Sequence, residues 1–296
     1  MQGKPHPAGG EGGEEEEGKE QGASHDPYYQ AMRLGFSPCP NDTFTFYALV
    51  HGKVPSPVPL EPVLADIETL NTWAFQGKLP LTKLSYAAFA RLQDDYIALS
   101  SGGALGRGVG PLVVAKGERP FEGARVAHPG EATTAYALFR MYMGERPFTP
   151  VLMVYSEIMP AVARGEADLG LIIHESRFVY PGYGLVKLLD LGEWWEEETG
   201  LPLPLGLIAG RRELGTELLR ELERAIKESI RYAWDHPDEV FPYMKAHAQE
   251  LDDEVIWKHV RTYVNDFSLD LGEEGRRAAE AFFSRLGAAV GEGWLV

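Results

Sequence analysis

The residue in this chain best suited to move a proton is a histidine delivered by an apolar run. Leu171-Ile172-Ile173 lead directly into His174, and Glu175-Ser176-Arg177-Phe178 follow. Open parallel sheets hold ligands beyond the carboxyl ends of their strands, and an imidazole placed there can accept a proton at physiological pH. A histidine hydrogen-bonded in a hinge would leave the same trace. His128 ends a second apolar run and is another candidate base. The other six histidines (His6, His25, His51, His236, His247 and His259) fall in the N-terminal tail or on predicted helices and their ends. They are expected to be surface or packing residues.

Three further strand-to-helix junctions carry polar groups. In Ser37-Pro38-Cys39-Pro40-Asn41-Asp42 two prolines stiffen a turn, and Asn41 is expected to cap the helix it opens. Backbone N–H groups at that helix start suit a carboxylate or another oxygen, although capping alone accounts for Asn41 and Asp42 equally well. In Thr82-Lys83-Leu84-Ser85, strand alternation separates Lys83 from Leu84, and capping is the simpler role for Ser85. In His128-Pro129-Gly130-Glu131-Ala132-Thr133-Thr134 a Pro-Gly turn opens a helix whose first residues bear hydroxyls. That is a second oxygen trap, or a simple cap.

Other chemistries lack their motifs. The chain has no HExxH, no paired cysteines, no GxxxxGK[ST] and no GxSxG. No metal site and no cofactor are therefore expected. Gly102-Gly103-Ala104-Leu105-Gly106-Arg107-Gly108 is glycine-rich but precedes a strand rather than a helix, and reads as a connector between lobes. Trp194-Trp195 reads first as core, with an aromatic cover over a ligand as the alternative.

The elements that must position these groups follow from periodicity. Apolar strands at 32–36, 58–64, 79–84, 96–100 and 111–116 alternate with helices. A second series has strands at 125–128, 151–155, 169–173, 185–189 and 205–209. Beyond 209 the pattern is helical, over 216–234, 240–248, 253–263 and 274–286. Strand–helix alternation implies mostly parallel sheets, and an all-helical tail must pack on an earlier one. The expected architecture is α/β and two-lobed, with two mixed, mostly parallel sheets and a cleft between the lobes. Residues 31–117 with 206–296 form a larger discontinuous lobe, and 118–205 form an inserted smaller lobe.

Composition narrows the partners. The 296 residues carry a formal charge of −16, of which −5 falls in residues 1–30, a Gly- and Glu-rich stretch predicted to be a disordered acidic tail. So acidic a chain, without a basic stripe, is not expected to bind nucleic acid. No apolar run reaches membrane-spanning length, the N-terminus has no secretory pattern, and the one cysteine, Cys39, suits a reducing compartment. A cytoplasmic protein with a small-molecule partner and no membrane partner is expected.

The motifs taken together resemble the 1,4-dihydroxy-6-naphthoate synthase family. Leu34-Gly35-Phe36-Ser37-Pro38-Cys39-Pro40-Asn41-Asp42-Thr43-Phe44, Leu81-Thr82-Lys83-Leu84-Ser85-Tyr86, Ser101 to Gly108, Thr133-Thr134-Ala135-Tyr136 and Leu171 to Phe178 occur in family order and span nearly all of 32–290. The resemblance implies a periplasmic-binding-protein-like fold (type II) and a cofactor-free lyase. Such a lyase converts cyclic dehypoxanthine futalosine, a small carboxylate, into 1,4-dihydroxy-6-naphthoate and dihydroxyacetone. It also implies that His174 is the base and that Lys83, Leu84, Ser85, Thr133 and Thr134 line the pocket, with the helix starts at Asn41 and Thr133 holding substrate oxygens. A non-catalytic solute-binding protein and a sister chorismate dehydratase are the rival expectations on the same fold.

Overall fold

Strands and helices alternate along the chain and sort into two five-stranded mixed sheets. The computed structural model describes residues 31–296; the acidic tail expected over residues 1–30 lies outside the described residues. The first sheet has the order β2 (Leu60–Leu64), β1 (Met32–Phe36), β3 (Leu81–Ser85), β10 (Leu203–Arg211) and β4 (Tyr96–Gly106). The second has the order β7 (Thr149–Leu152), β6 (Arg125–His128), β8 (Leu169–Ile172), β5 (Leu112–Ala115) and β9 (Val186–Asp190).

Among the described residues twelve α-helices connect and cover the sheets. They are α1 (Pro40–Val50), α2 (Ile67–Phe75), α3 (Tyr86–Phe89), α4 (Thr134–Met143), α5 (Tyr155–Arg164) and α6 (Ser176–Val179). The second half adds α7 (Leu191–Thr199), α8 (Thr216–Asp235), α9 (Pro237–His247), α10 (Asp253–Tyr263), α11 (Asp266–Leu269) and α12 (Gly272–Arg285). As expected, the helical tail returns to the first sheet: α8 packs on β4 and α12 on β10. Among the described residues no helix is long and apolar enough to cross a membrane.

The strand pairing is less parallel than expected. Four pairings are parallel, and the four made by β5 and β10 are antiparallel. Those two strands are also where the chain passes between sheets. It leaves the first sheet after Gly106 and rejoins it at Leu203, so β5 lies in the second sheet, paired with β8 and β9. The expected boundaries at 117/118 and 205/206 therefore move. An apolar four-residue strand carries no mark of which sheet it will join.

The glycine-rich stretch is likewise strand rather than connector, since β4 runs through Gly106. Its glycines admit close neighbours: a side chain at Gly103 would collide with the carbonyl of Gly206 on β10.

One apolar cluster runs from Leu84 and Leu207 of the first sheet to Val113, Val126 and Leu171 of the second, with Phe139, Trp195 and Phe282 between. Trp195 is fully buried and donates its indole N–H to the carbonyl of Pro202 at 3.0 Å, which settles it as core. A second cluster joins the other face of the first sheet to α1, α8 and α10 through Phe46, Ile226 and Val260.

The crossing strand is held by a backbone contact. A side chain on Gly110 would collide with the main chain of Gly192, at the start of α7. Gly110→Ala should lower the unfolding free energy by about 1–3 kcal/mol in urea denaturation. Gly117→Ala, where a methyl group meets open space, should leave it nearly unchanged.

Candidate active site

Strand ends from both sheets converge on one cavity. The first sheet contributes Ser37 and Asn41 after β1, Lys83 and Ser85 on β3, and Leu205 and Gly206 on β10. The second contributes Thr133, Thr134 and Ala135 at the start of α4, and Ile173 and His174 after β8. Apolar walls with a few polar groups are the usual lining of small-ligand sites.

Six of the seven residues singled out from sequence meet there: Asn41, Lys83, Ser85, Thr133, Thr134 and His174. Leu84 does not. It is fully buried in the core cluster on the opposite face of β3, because successive residues of a strand point to opposite faces. His128 is absent from the lining as well. It is 1% exposed, stacked on Tyr136 at 4.0 Å, and burial lowers its pKa, so it reads as a packing residue.

The wall beneath the cavity is built on Asp42, which is 1% exposed. Its Oδ2 accepts from the Ser37 backbone N–H at 3.0 Å and from the Ser37 hydroxyl at 2.6 Å. Its Oδ1 accepts from Asn41 Nδ2 at 3.0 Å and is ion-paired with Lys83 Nζ. A buried carboxylate is tolerable only with such compensation.

The helix cap departs from expectation. α1 begins at Pro40 with Cys39 as its N-cap, and Asn41 lies inside the first turn. The Asn41 amide instead joins Asp42 to His259: its Oδ1 accepts from His259 Nε2 at 2.8 Å. Since Nδ2 faces Asp42, Oδ1 must face the imidazole, so Nε2 carries the proton and Nδ1 is bare.

Sequence reading expected His259 at the surface or in packing and did not link it to the cavity. It is fully buried, 6.3 Å from the His174 ring, and burial holds its pKa well below the ordinary value. The available signal was helical: Ile256, His259, Val260 and Tyr263 share one buried face of α10. Its bare Nδ1 lies 3.8 Å from Glu175 Oε2, whose carboxyl burial pushes up to about 7.

His174 stands apart in its backbone. Among the described residues it is the one non-glycine with a left-handed φ, 55°. Such conformations cost of the order of 1–3 kcal/mol and gather at working sites. Its ring meets Tyr155 edge-on at 5.1 Å and is half-buried. Burial is the main cause lowering its pKa to about 4; the nearby charges of Asp42 and Lys83 pull in opposite directions. The imidazole is thus neutral at physiological pH and can accept a proton.

Across the cavity, Thr133 caps α4, its hydroxyl accepting from the Tyr136 N–H at 3.3 Å and donating to the Gly130 carbonyl at 2.7 Å. The Thr134 hydroxyl donates to the Leu205 carbonyl at 2.8 Å. Both hydroxyls are therefore engaged within the chain. What this wall offers a ligand is the N–H groups of Thr134 and Ala135 at the start of α4, which have no partner within a helix.

Two mixed sheets with a cavity at their facing strand ends make a fold of the periplasmic-binding-protein class. The fold matches that of CA3427 from Candida albicans, which has the generic periplasmic binding protein fold, at a TM-score of 0.63 and 12% identity over 89% of this chain and 92% of that one.

Within that class the chain belongs to the menaquinone biosynthesis family, whose model matches residues 32–288. It is 65% identical over 256 residues to 1,4-dihydroxy-6-naphthoate synthase of Thermus thermophilus, covering 86% of this chain and 93% of the relative. It also resembles the crystal structure of AF1704 from Archaeoglobus fulgidus, with 41% identity and a TM-score of 0.83 over 87% of this chain and 97% of that one.

Removing the counter-charge of Asp42 tests the wall. Lys83→Met leaves a buried carboxylate without its cation and should destabilise the chain by about 3–5 kcal/mol at pH 7 in urea unfolding. An effect below 1 kcal/mol, on the scale of an exposed pair, would show that the Lys83–Asp42 pair does not hold the wall.

Proposed function

We propose that this chain, an enzyme of menaquinone biosynthesis, converts cyclic dehypoxanthine futalosine into 1,4-dihydroxy-6-naphthoate and dihydroxyacetone, with His174 as the general base. The observation that carries the role of His174 is its combination of a left-handed backbone, a neutral ring and a place on the cavity wall. A protein that only binds its ligand has no need of a strained, desolvated imidazole beside it.

In this reading His174 takes a proton from the substrate. The electron pair left behind drives cleavage of the carbon–carbon bond to the three-carbon fragment, which departs with the bonding pair and takes a proton back from the His174 imidazolium to become dihydroxyacetone, while aromatisation of the naphthoate draws the reaction forward. The substrate carboxylate and sugar-derived oxygens are held by the first-turn N–H groups of α4, the Ser85 hydroxyl and the Lys83–Asp42 wall. The apolar lining from Ile67, Val109 and Leu205 suits the aromatic ring. The single cysteine suits a reducing compartment, and we propose the cytoplasm as the place of the reaction.

His174→Ala should lower kcat by about 10²–10⁴-fold with the chain still folded. His128→Ala should keep turnover near the parent rate. In the unsubstituted chain, kcat/KM should persist at about pH 5.5, where an ordinary imidazole would be largely protonated, because the neutral form of His174 is lost only as pH falls toward about 4. Near-parent turnover in His174→Ala would reject the assignment.

A further inference from the structure

Behind the lining residues, one helix grips both walls of the cavity. Glu68 and Asn71 lie three residues apart on α2 and so share a face. Glu68 is half-buried; its Oε1 accepts from the backbone N–H of Ala132 at 3.3 Å, and its Oε2 accepts from Asn71 Nδ2 at 3.3 Å. Asn71 is fully buried. Its Oδ1 accepts from the Ser85 N–H at 3.0 Å, and its Nδ2 donates to the Ser85 hydroxyl at 3.0 Å and to the Ala132 carbonyl at 3.4 Å. Ser85 ends β3 of the first sheet. Ala132 belongs to the loop that leads from β6 of the second sheet into α4. Neither Glu68 nor Asn71 lines the cavity itself.

Gly130 adds a second, steric observation. A Cβ placed there would fall on the Glu68 side chain, whose Cδ, Oε2 and Cγ are its three nearest atoms. The backbone of Gly130 is not left-handed, so conformation does not demand glycine at this position. The space is occupied by Glu68 instead.

We propose that Glu68 and Asn71 are positioning residues: a clamp from α2 that sets Ser85 and the first turn of α4 at working separation on opposite walls, with Gly130 kept small to admit the Glu68 carboxylate. The inference rests on the functional reading above, because the spacing it fixes is the spacing between groups that hold the substrate oxygens. Small misplacements of such groups have large kinetic effects.

A double-mutant cycle between positions 68 and 130 tests the clamp, with two readouts. Formation of 1,4-dihydroxy-6-naphthoate from cyclic dehypoxanthine futalosine gives kcat/KM. Hydrogen–deuterium exchange of residues 129–134 needs no chemistry. Gly130→Ala and Glu68→Ala should each lower kcat/KM by about 10²-fold and speed exchange in that segment. In the Glu68→Ala background, Gly130→Ala should add almost nothing, because the atoms it displaces are gone. Glu68→Gln keeps an acceptor for the Ala132 N–H and should recover most of the lost rate.

Equal losses from Gly130→Ala in both backgrounds, or no recovery in Glu68→Gln, would overturn the clamp. If the unsubstituted chain forms no naphthoate while the exchange cycle remains coupled, the functional reading fails and the clamp stands.

Discussion

Burying a carboxylate is the constraint from which the rest of this site follows. Asp42 has almost no exposed surface, and a charge in that position must bring its own compensation. Ser37 supplies two donors, Asn41 one, and Lys83 the counter-charge. These partners come from the turn after β1, the first turn of α1 and the middle of β3, so satisfying one group fixes three pieces of chain relative to one another. Through Asn41 the same network reaches His259 on α10 and draws the helical tail into the wall. The pairing has an electrostatic consequence as well. At His174 the effects of Asp42 and Lys83 oppose one another, which leaves burial as the main influence on the imidazole.

Architecture and chemistry are separable here. The arrangement of the two sheets is shared with a protein of 12% identity, so the fold alone does not assign a chemistry. The proposed chemistry rests on a neutral imidazole set on the cavity wall. The left-handed backbone at the end of β8 turns His174 out of the strand's register, and desolvation keeps the ring neutral. On the far wall the hydroxyls of Thr133 and Thr134 are engaged by the chain, which leaves backbone N–H groups to meet oxygen. The walls are thus set before a ligand arrives, as efficient positioning requires.

Much of this was legible in the residues, for identifiable reasons. Long apolar runs and amphipathic repeats announce element type, so β1 and α10 match their expected spans. Strand-to-helix junctions drew attention to Asn41, Ser85, Thr133, Thr134 and His174 with capping or packing still open, and it was the family resemblance that implied Lys83, Ser85, Thr133 and Thr134 as pocket residues and His174 as the base. Leu84 fell to a rule the sequence already contained: its neighbours Lys83 and Ser85 face the cavity, so it must face the core. Pairing partners were not legible, because the composition of β5 is the same whichever sheet it joins. The roles of His259, Glu68 and Asn71 depend on contacts between residues 14 to 218 positions apart, and no local pattern carries those.

The most direct test is a crystal structure of the chain with 1,4-dihydroxy-6-naphthoate bound. The account predicts the naphthoate between the two sheets, its ring against Ile67, Val109 and Leu205. The His174 imidazole should face the bound naphthoate directly, with no protein atom between them. A ligand seated elsewhere, or a His174 ring separated from it by protein, would contradict the account.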